Sequence, residues 1–434
     1  MAAAPDPLLD DDDTPRFDAG APPKGWLSPL NRRRWRNFKA NRRALWSLWI
    51  FAILYGLSLL APVIANDRPL MVTYQGERYY PIFNFYPETA FGGDFRTEAV
   101  YRDIEVQCLI ISGGLEDCWD DPEGLVDEVQ ATGQFAGTPV QQGALHWPLI
   151  PHDFASIVDR PGVAPAPPNV INGYYTSLVD PDAPPVFELP EGAERDEWSY
   201  SFGLLPEPLA GTNLLGTDDT SRDVLARVIY GFRTSVSLAF IVTLITSVIG
   251  IFMGGLQGYF GGWVDLIWQR IIEIWNATPS LYVIIIVAAI IPMTPLLLIG
   301  LFVFFGWMGL TGVVRAEFLR ARNFEYVRAA RALGVGNFTI MYRHVLPNAM
   351  VATLTFLPFI VTGTIGGLAA LDFLGFGLPS NLASLGEMTL QSKNNLQAPW
   401  LGFTVFLTFA IMLSLLVFIF EGIRDAFDPR KTFS

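Results

Sequence analysis

Apolar and polar positions fall in long blocks along this chain, not at the short periods of a soluble fold. Apolar runs occupy about residues 44–65, 234–258, 278–293, 295–316, 349–371 and 401–421. A helix needs about 20 mostly apolar residues to cross ~30 Å of hydrocarbon, so the pattern predicts six membrane-spanning helices. Pro279 and Pro292 bracket the third run, and the amphipathic WVDLIWQRIIEIW before it reads as its lead-in. Between the first two runs the pattern is different. Residues 66–215 carry PGVAPAPPN, DPDAPP and the aromatic cluster FNFYPETAFGGDF, with no strong helical period. This predicts a loop-rich domain with some short strands.

The expected architecture is therefore an all-α polytopic membrane protein with a large loop-rich insertion between its first two helices. Residues 1–25, rich in Pro, Ala and Asp, are expected to be a disordered tail. Residues 26–65 form a basic leader and the first span, 66–215 the insertion, and 216–434 a five-helix core containing a polar loop at 317–348.

Composition supports the membrane reading: 51% of residues are hydrophobic, 16% are charged, and mean hydropathy is +0.33. Soluble proteins carry about 25% charged residues. The net charge of -13 is unevenly spread. Residues 66–225 hold 27 acidic and 7 basic groups, a local net of -20, which leaves +7 for the remainder. Seven basic residues lie between Arg32 and Arg43, just before the first apolar run. Such clusters stay on the cytoplasmic side, which places both termini inside and residues 66–222 outside. Arg315, Arg320, Arg322, Arg328, Arg331 and Arg343 fall on the same side, whereas the loop at 372–400 has only Lys393. Cys108 and Cys118 both lie in the acidic block. An exported block makes a disulfide the natural expectation; two unrelated small residues are the alternative. No histidine lies near them in sequence, so a metal site is not expected.

Candidate chemistry concentrates in EYVRAARALGVGNFTIMYRHVLPNA, Glu325 to Ala349, which interrupts two apolar runs. Tyr326, Ala329, Ala330 and Leu333 share one helical face, and Gly334 and Gly336 can end that helix in left-handed backbone. Asn337 suits an N-cap of a second helix with Phe338, Met341, Tyr342 and Val345 on its face, stopped by Pro347. Short, capped and attached to a span at each end, the segment reads as a lever. An ordinary ordered loop is the alternative.

The arrangement Ala329-Ala330-x3-Gly334-x9-His344-x-Leu346-Pro347 resembles the coupling-loop pattern E-A-A-x3-G-x9-I-x-L-P of ABC importer permeases. Arg328 stands where the pattern has Glu, and Glu325 lies one turn earlier; His344 stands for Ile. YVRAARALG and the RHxLPN form look like the peptide-transporting branch. So do GTDDTSRD at Gly216–Asp223, where Ser221 replaces a usual Gly, LDFLGFGLP, SLGE and RDAFDPR. The leader SPLNRRRWRNFKANRRALWSLWIF and KNNLQAPWLG look like the YejE-type peptide permeases within that branch.

This resemblance implies a six-helix permease of the type I ABC importer kind in a bacterial inner membrane, with residues 66–222 periplasmic. It further implies cytoplasmic ATPase subunits docking at Glu325, Arg328, Ala329, Ala330, Leu333, Gly334, Leu346 and Pro347. A second, non-identical permease, a periplasmic substrate-binding protein and a peptide or peptide-like substrate complete the set. Lipid surrounds it, and neither cofactor nor nucleic acid is expected. An ion-coupled secondary transporter would need ionisable groups inside its spans, which these runs largely lack. A membrane sensor would need a signalling domain where only a short tail follows the last span. An enzyme is not suggested: His146 and His152 flank a Pro-rich turn, and the chain carries no H-E-x-x-H, G-x-S-x-G or phosphate-gripping G-x-x-x-x-G-K-[ST].

Overall fold

The structure, a computed structural model, describes residues 29–158, 164–168, 171–179, 186, 195–204, 213–379 and 381–427. The expected disordered tail, residues 1–25, lies outside them.

Among the described residues, four helices are long and apolar enough to cross a membrane: Val224–Phe260, Pro295–Ala321, Asn337–Phe373 and Pro399–Phe427. A fifth is added if Gly262–Asn276 and Ser280–Ile290, bent by 63° at their junction, count as one. The bend falls at the Thr278-Pro279 step, where proline removes a helical donor and disfavours α backbone before it. Arg42–Leu59, where the sequence predicts a further span, is helical over 18 residues but is not among these helices. The arginine pair that opens this helix makes it less apolar than the other four. Spans also start earlier than the apolar runs suggest. Asp223 caps the first long helix by accepting from the Ala226 amide at 2.7 Å, eleven residues before the run begins.

The tightest packing joins Val224–Phe260 to Met308–Ala321. Gly250, Gly254 and Gly258 repeat every four residues along one face of the first, a spacing that lets helix backbones approach closely. A Cβ at Gly254 would stand 2.6 Å from the Thr311 carbonyl, and one at Gly258 would stand 2.5 Å from that of Arg315. Arg315 grips Asp265 of Gly262–Asn276 through a two-pronged contact at 2.5 and 2.6 Å. The lead-in helix is thereby fixed to the same pair.

Residues 66–158 carry the short strands expected there together with two helices that the lack of period did not suggest; most of 159–212 lies outside the described residues. A three-stranded antiparallel sheet orders Glu77–Tyr79, Met71–Tyr74 and Ala144–His146. Two helices, Ile104–Ser112 and Pro122–Thr132, pack beside it. The first buries Val106, Cys108, Leu109, Ile110, Ile111 and Ser112, so it is apolar nearly all round and shows no amphipathic stripe. Tyr74, Tyr79, Tyr86 and Tyr101 set their ring edges around the fully buried Phe91. Cys108 and Cys118 are bridged, with Cα atoms 5.6 Å apart. His146 is exposed at the end of its strand, whereas His152 is buried with Arg102 nearby and is no solvated turn residue. The unit ties to the helical core where the Tyr230 hydroxyl donates to the Ala65 carbonyl at 2.9 Å.

Candidate functional site

The segment between Ala321 and Ala349 folds as two short elements held against the ends of the long helices. The first is the helix Glu325–Ala332. It ends in a Schellman turn: Gly334 N–H donates to the Arg331 carbonyl at 3.0 Å, and Val335 N–H donates to that of Ala330 at 3.1 Å. Gly334 sits at φ +78°, which side chains beyond Cα disfavour. Gly336 does not share this role, having φ -64° and ψ 147°.

The face that packs inward differs from the periodicity reading. Val327 and Ala330 are the buried residues of this helix, while Leu333 is 82% exposed and Tyr326 and Ala329 are exposed too. The four-residue set mixed two faces because alanine gives no apolar contrast on a helix this short. In the second element, Ile340, Met341 and Val345 are buried, whereas Phe338 and Tyr342 are 66% and 76% exposed. The buried residues join Tyr259, Leu310, Val314, Phe318, Val327 and Ala330 in one apolar cluster.

Two local readings are corrected. Asn337 does not cap the second element; Gly336 holds that position, and Asn337 Oδ1 accepts a hydrogen bond from the Tyr259 hydroxyl at 2.9 Å. Nor does Pro347 stop the helix. Residues Ile340–Val345 form a π-helical turn that runs directly into Leu346–Phe373, so Asn337–Phe373 is one element. A wider turn moves the carbonyl four residues back away from the proline ring, which a regular α-turn would bring into collision.

The remaining ties are polar. The Arg331 guanidinium lies 5.4 Å from the centre of the Tyr259 ring. Arg322 reaches the Gly258 and Tyr259 carbonyls at 3.4 and 3.5 Å. The Asn348 side-chain amide donates to the Tyr326 hydroxyl at 3.0 Å, joining the start of the segment to its end. Of the expected site residues, Glu325, Arg328, Ala329, Leu333, Gly334 and Pro347 are exposed, Leu346 is half-buried and Ala330 is buried. The result is a rigid element with an apolar underside and a surface carrying Leu333, Phe338 and Tyr342.

A second polar group, at the other end of the long helices, was not legible as a unit. Arg227 is fully buried and pairs with Asp218 at 3.4 Å and with Glu387, 160 residues later. Gln391 donates to Asp218 at 3.2 Å, and Asn395 donates to Asp219 at 3.3 Å. Burial raises the Glu387 carboxyl above its ordinary pKa although Arg227 and Arg222 pull it down. Burial and the neighbouring Asp218 likewise raise Asp219. Asp372 accepts from the Leu378 amide at 2.7 Å and from Ser384, which binds LDFLGFGLP to SLGE. Asp219, Asp372, Glu387 and Gln391 border a cavity of about 680 Å³ that also meets Met293 and Phe376. The signal in the sequence was charged residues just outside apolar runs, but nothing there shows which of them meet.

Residues 219–433 match the family described as the binding-protein-dependent transport system inner membrane component. Residues 28–81 match the N-terminal TM domain of oligopeptide transport permease C. The chain is 48% identical over 415 residues to the peptidoglycan transport system permease protein YejE of Agrobacterium fabrum, covering 95% of this chain and 96% of that protein. It is 45% identical over 405 residues to the inner membrane ABC transporter permease protein YejE of Escherichia coli, covering 93% and 98%. An inward-facing structure of the MetNI methionine ABC transporter aligns at 17% identity and a TM-score of 0.39, covering 46% of this chain and 96% of that one.

Proposed function

This chain belongs to the inner-membrane components of binding-protein-dependent transport systems, and from that membership we propose that it couples a partner ATPase to the uptake of peptides or peptide-like compounds. The relatives named for oligopeptide, dipeptide and peptidoglycan transport support that substrate class. The chain has no phosphate-gripping motif of its own, so its energy comes from cytoplasmic ATPase subunits. Residues 325–347 dock in them.

One observation carries this reading: Leu333, Phe338 and Tyr342 are widely exposed on an element whose opposite side is buried and hydrogen-bonded to two long helices. Exposed apolar surface on a rigid scaffold marks a protein contact. When the ATPase dimer closes, force enters there and passes through Tyr259 into Val224–Phe260 and through the π turn into Leu346–Phe373. The pore then alternates between outward and inward access.

In the full assembly Arg42–Leu59 is the sixth span, both termini are cytoplasmic, and the acidic unit after residue 65 is periplasmic. A second, non-identical permease shares the pore, and a periplasmic binding protein delivers substrate at the end bearing Asp219 and Glu387. Cysteine cross-linking in native membranes tests the docking claim. Leu333→Cys should link to the ATPase, while Leu396→Cys, equally exposed at the opposite end, should not. A link from Leu396 and none from Leu333 would reject the reading.

A further inference from the structure

The leader helix Pro29–Ala40 does not stand apart from the bundle. Phe38 and Ala44 are buried against Ala426, with Leu48, Ile423 and Phe427 around them. The crossing is close: a Cβ on Gly422 would lie 2.2 Å from that of Ala44 and 3.0 Å from the Phe38 ring. Beside it opens a largely apolar cavity of about 420 Å³ that meets Arg34, Trp35, Leu48, Ile423 and Phe427. A second, of about 450 Å³, meets Arg42, Arg43, Phe418 and Glu421. The Arg34 guanidinium lies 4.2 Å over the Phe427 ring, and the Lys39 ammonium lies 5.2 Å from that of Trp35.

Arg34 borders the first cavity, Arg42 and Arg43 border the second, and Arg32 and Lys39 flank Trp35 at helical spacing; Arg32, Lys39, Arg42 and Arg43 are exposed, and no Asp or Glu occurs from Pro29 through Ala65. Among the described residues Glu421 borders the second cavity, and Arg424 stands 3.7 Å from it. The groove lies where the apolar run begins, which, with Arg42–Leu59 as the proposed sixth span, is the level of lipid headgroups. A soluble phosphate would answer the cations and leave the apolar groove wet. A neutral lipid would fill the groove and leave the cations crowded. An amphiphilic anion does both, and basic clusters beside a span attract anionic lipid; Trp35 is a residue type favoured at that interface.

We propose that the leader and the C-terminal helix together hold an anionic phospholipid, its headgroup among Arg32, Arg34 and Lys39 and one acyl chain along Trp35, Phe38, Leu48 and Ile423. The leaflet it comes from rests on the proposed cytoplasmic leader; the binding itself does not. The intact transporter is reconstituted in nanodiscs of phosphatidylcholine with added phosphatidylglycerol, and the lipid retained through detergent extraction is measured by native mass spectrometry.

Wild type should retain phosphatidylglycerol in preference to phosphatidylcholine. A variant with Arg32→Gln, Arg34→Gln and Lys39→Gln should lose at least tenfold of that preference, each basic residue contributing about fivefold. Trp35→Ala should lower retention of both lipids and keep the preference. Arg42 and Arg43 are left in place to hold the orientation, which thiol labelling of a cysteine introduced at Ala40 reads separately. Equal retention of both lipids by wild type, an unchanged preference in the three-site variant, or release of the lipid by soluble glycerol phosphate would each overturn the proposal.

Discussion

The hydroxyl of Tyr259 donates to Oδ1 of Asn337 across 2.9 Å, linking the last turn of Val224–Phe260 to the second half of the loop. Tyr259 also carries Arg331 on its ring and is 4% exposed. A single side chain thus receives both halves of the loop. Tyr259→Phe removes the donor while keeping the ring, a loss of about 1 kcal/mol. Membrane levels should stay unchanged while ATP hydrolysis per peptide transported rises. Uptake and phosphate release in proteoliposomes of the full transporter check this, and an unchanged ratio would remove Tyr259 from the route.

Gly334 has φ +78° with nothing within 4 Å of an added Cβ, so substitution there meets backbone strain and no collision. The left-handed conformation costs about 1–2 kcal/mol for an ordinary residue, and more for a β-branched one. Gly334→Val should sharply reduce uptake with the protein still inserted, and Gly334→Asn should be milder. Normal uptake by Gly334→Val in a transport assay would show that the Schellman turn does not set the loop's working shape.

The buried Arg227 and the half-buried Glu387 should respond unequally. Arg227→Met takes the fully buried cation from Asp218 and Glu387, leaving Arg222 to answer both, and should destabilise by about 3–5 kcal/mol. Glu387→Gln should cost much less, because burial already favours the neutral carboxyl. A folded pKa above the ordinary 4.5 means that Glu387 contributes stability below about pH 4.5, which is lost as pH rises through the folded value. Thermal unfolding of the detergent-solubilised protein should show that slope in wild type and a flatter one in Glu387→Gln. Equal losses in the two variants would count against the assignment.

The bridge between Cys108 and Cys118 closes a loop of sequence separation 10. Such a loop is worth about 2–3 kcal/mol by chain entropy. Cys108→Ser with Cys118→Ser should loosen residues 66–158 to protease while leaving helix packing intact. In whole cells a thiol reagent that does not cross membranes should label the wild-type pair only after reduction. Labelling without reductant, or none after it, would contradict a periplasmic bridge.

Much of the helical core was legible because its signal is long: apolar runs of membrane length cannot be mistaken at the scale of a single turn. Boundaries were not, since Asp223 and Asn337 begin helices well outside the apolar stretches. The helices of residues 104–132 went unseen because one is buried on nearly all sides and the pair is only 9 and 11 residues long. In the loop, Gly334 declared itself by chemistry, since only a left-handed position asks for glycine after a helix. The inward face did not, because Ala329 and Ala330 are alike in sequence and opposite in burial. Pro347 misled for a definite reason: a π turn supplies room that an α-turn lacks. The pairing of Arg227 with Glu387 spans 160 residues, a separation that no local pattern encodes.

The most direct test of the docking claim is affinity purification of this chain from its native membrane in mild detergent, with mass spectrometry of the proteins that accompany it. Wild type should bring down a nucleotide-binding ATPase and a second permease. Leu333→Asp combined with Phe338→Asp, both exposed, should lose the ATPase and keep the permease. A chain that purifies without any ATPase, or a double variant that keeps it undiminished, would contradict the account.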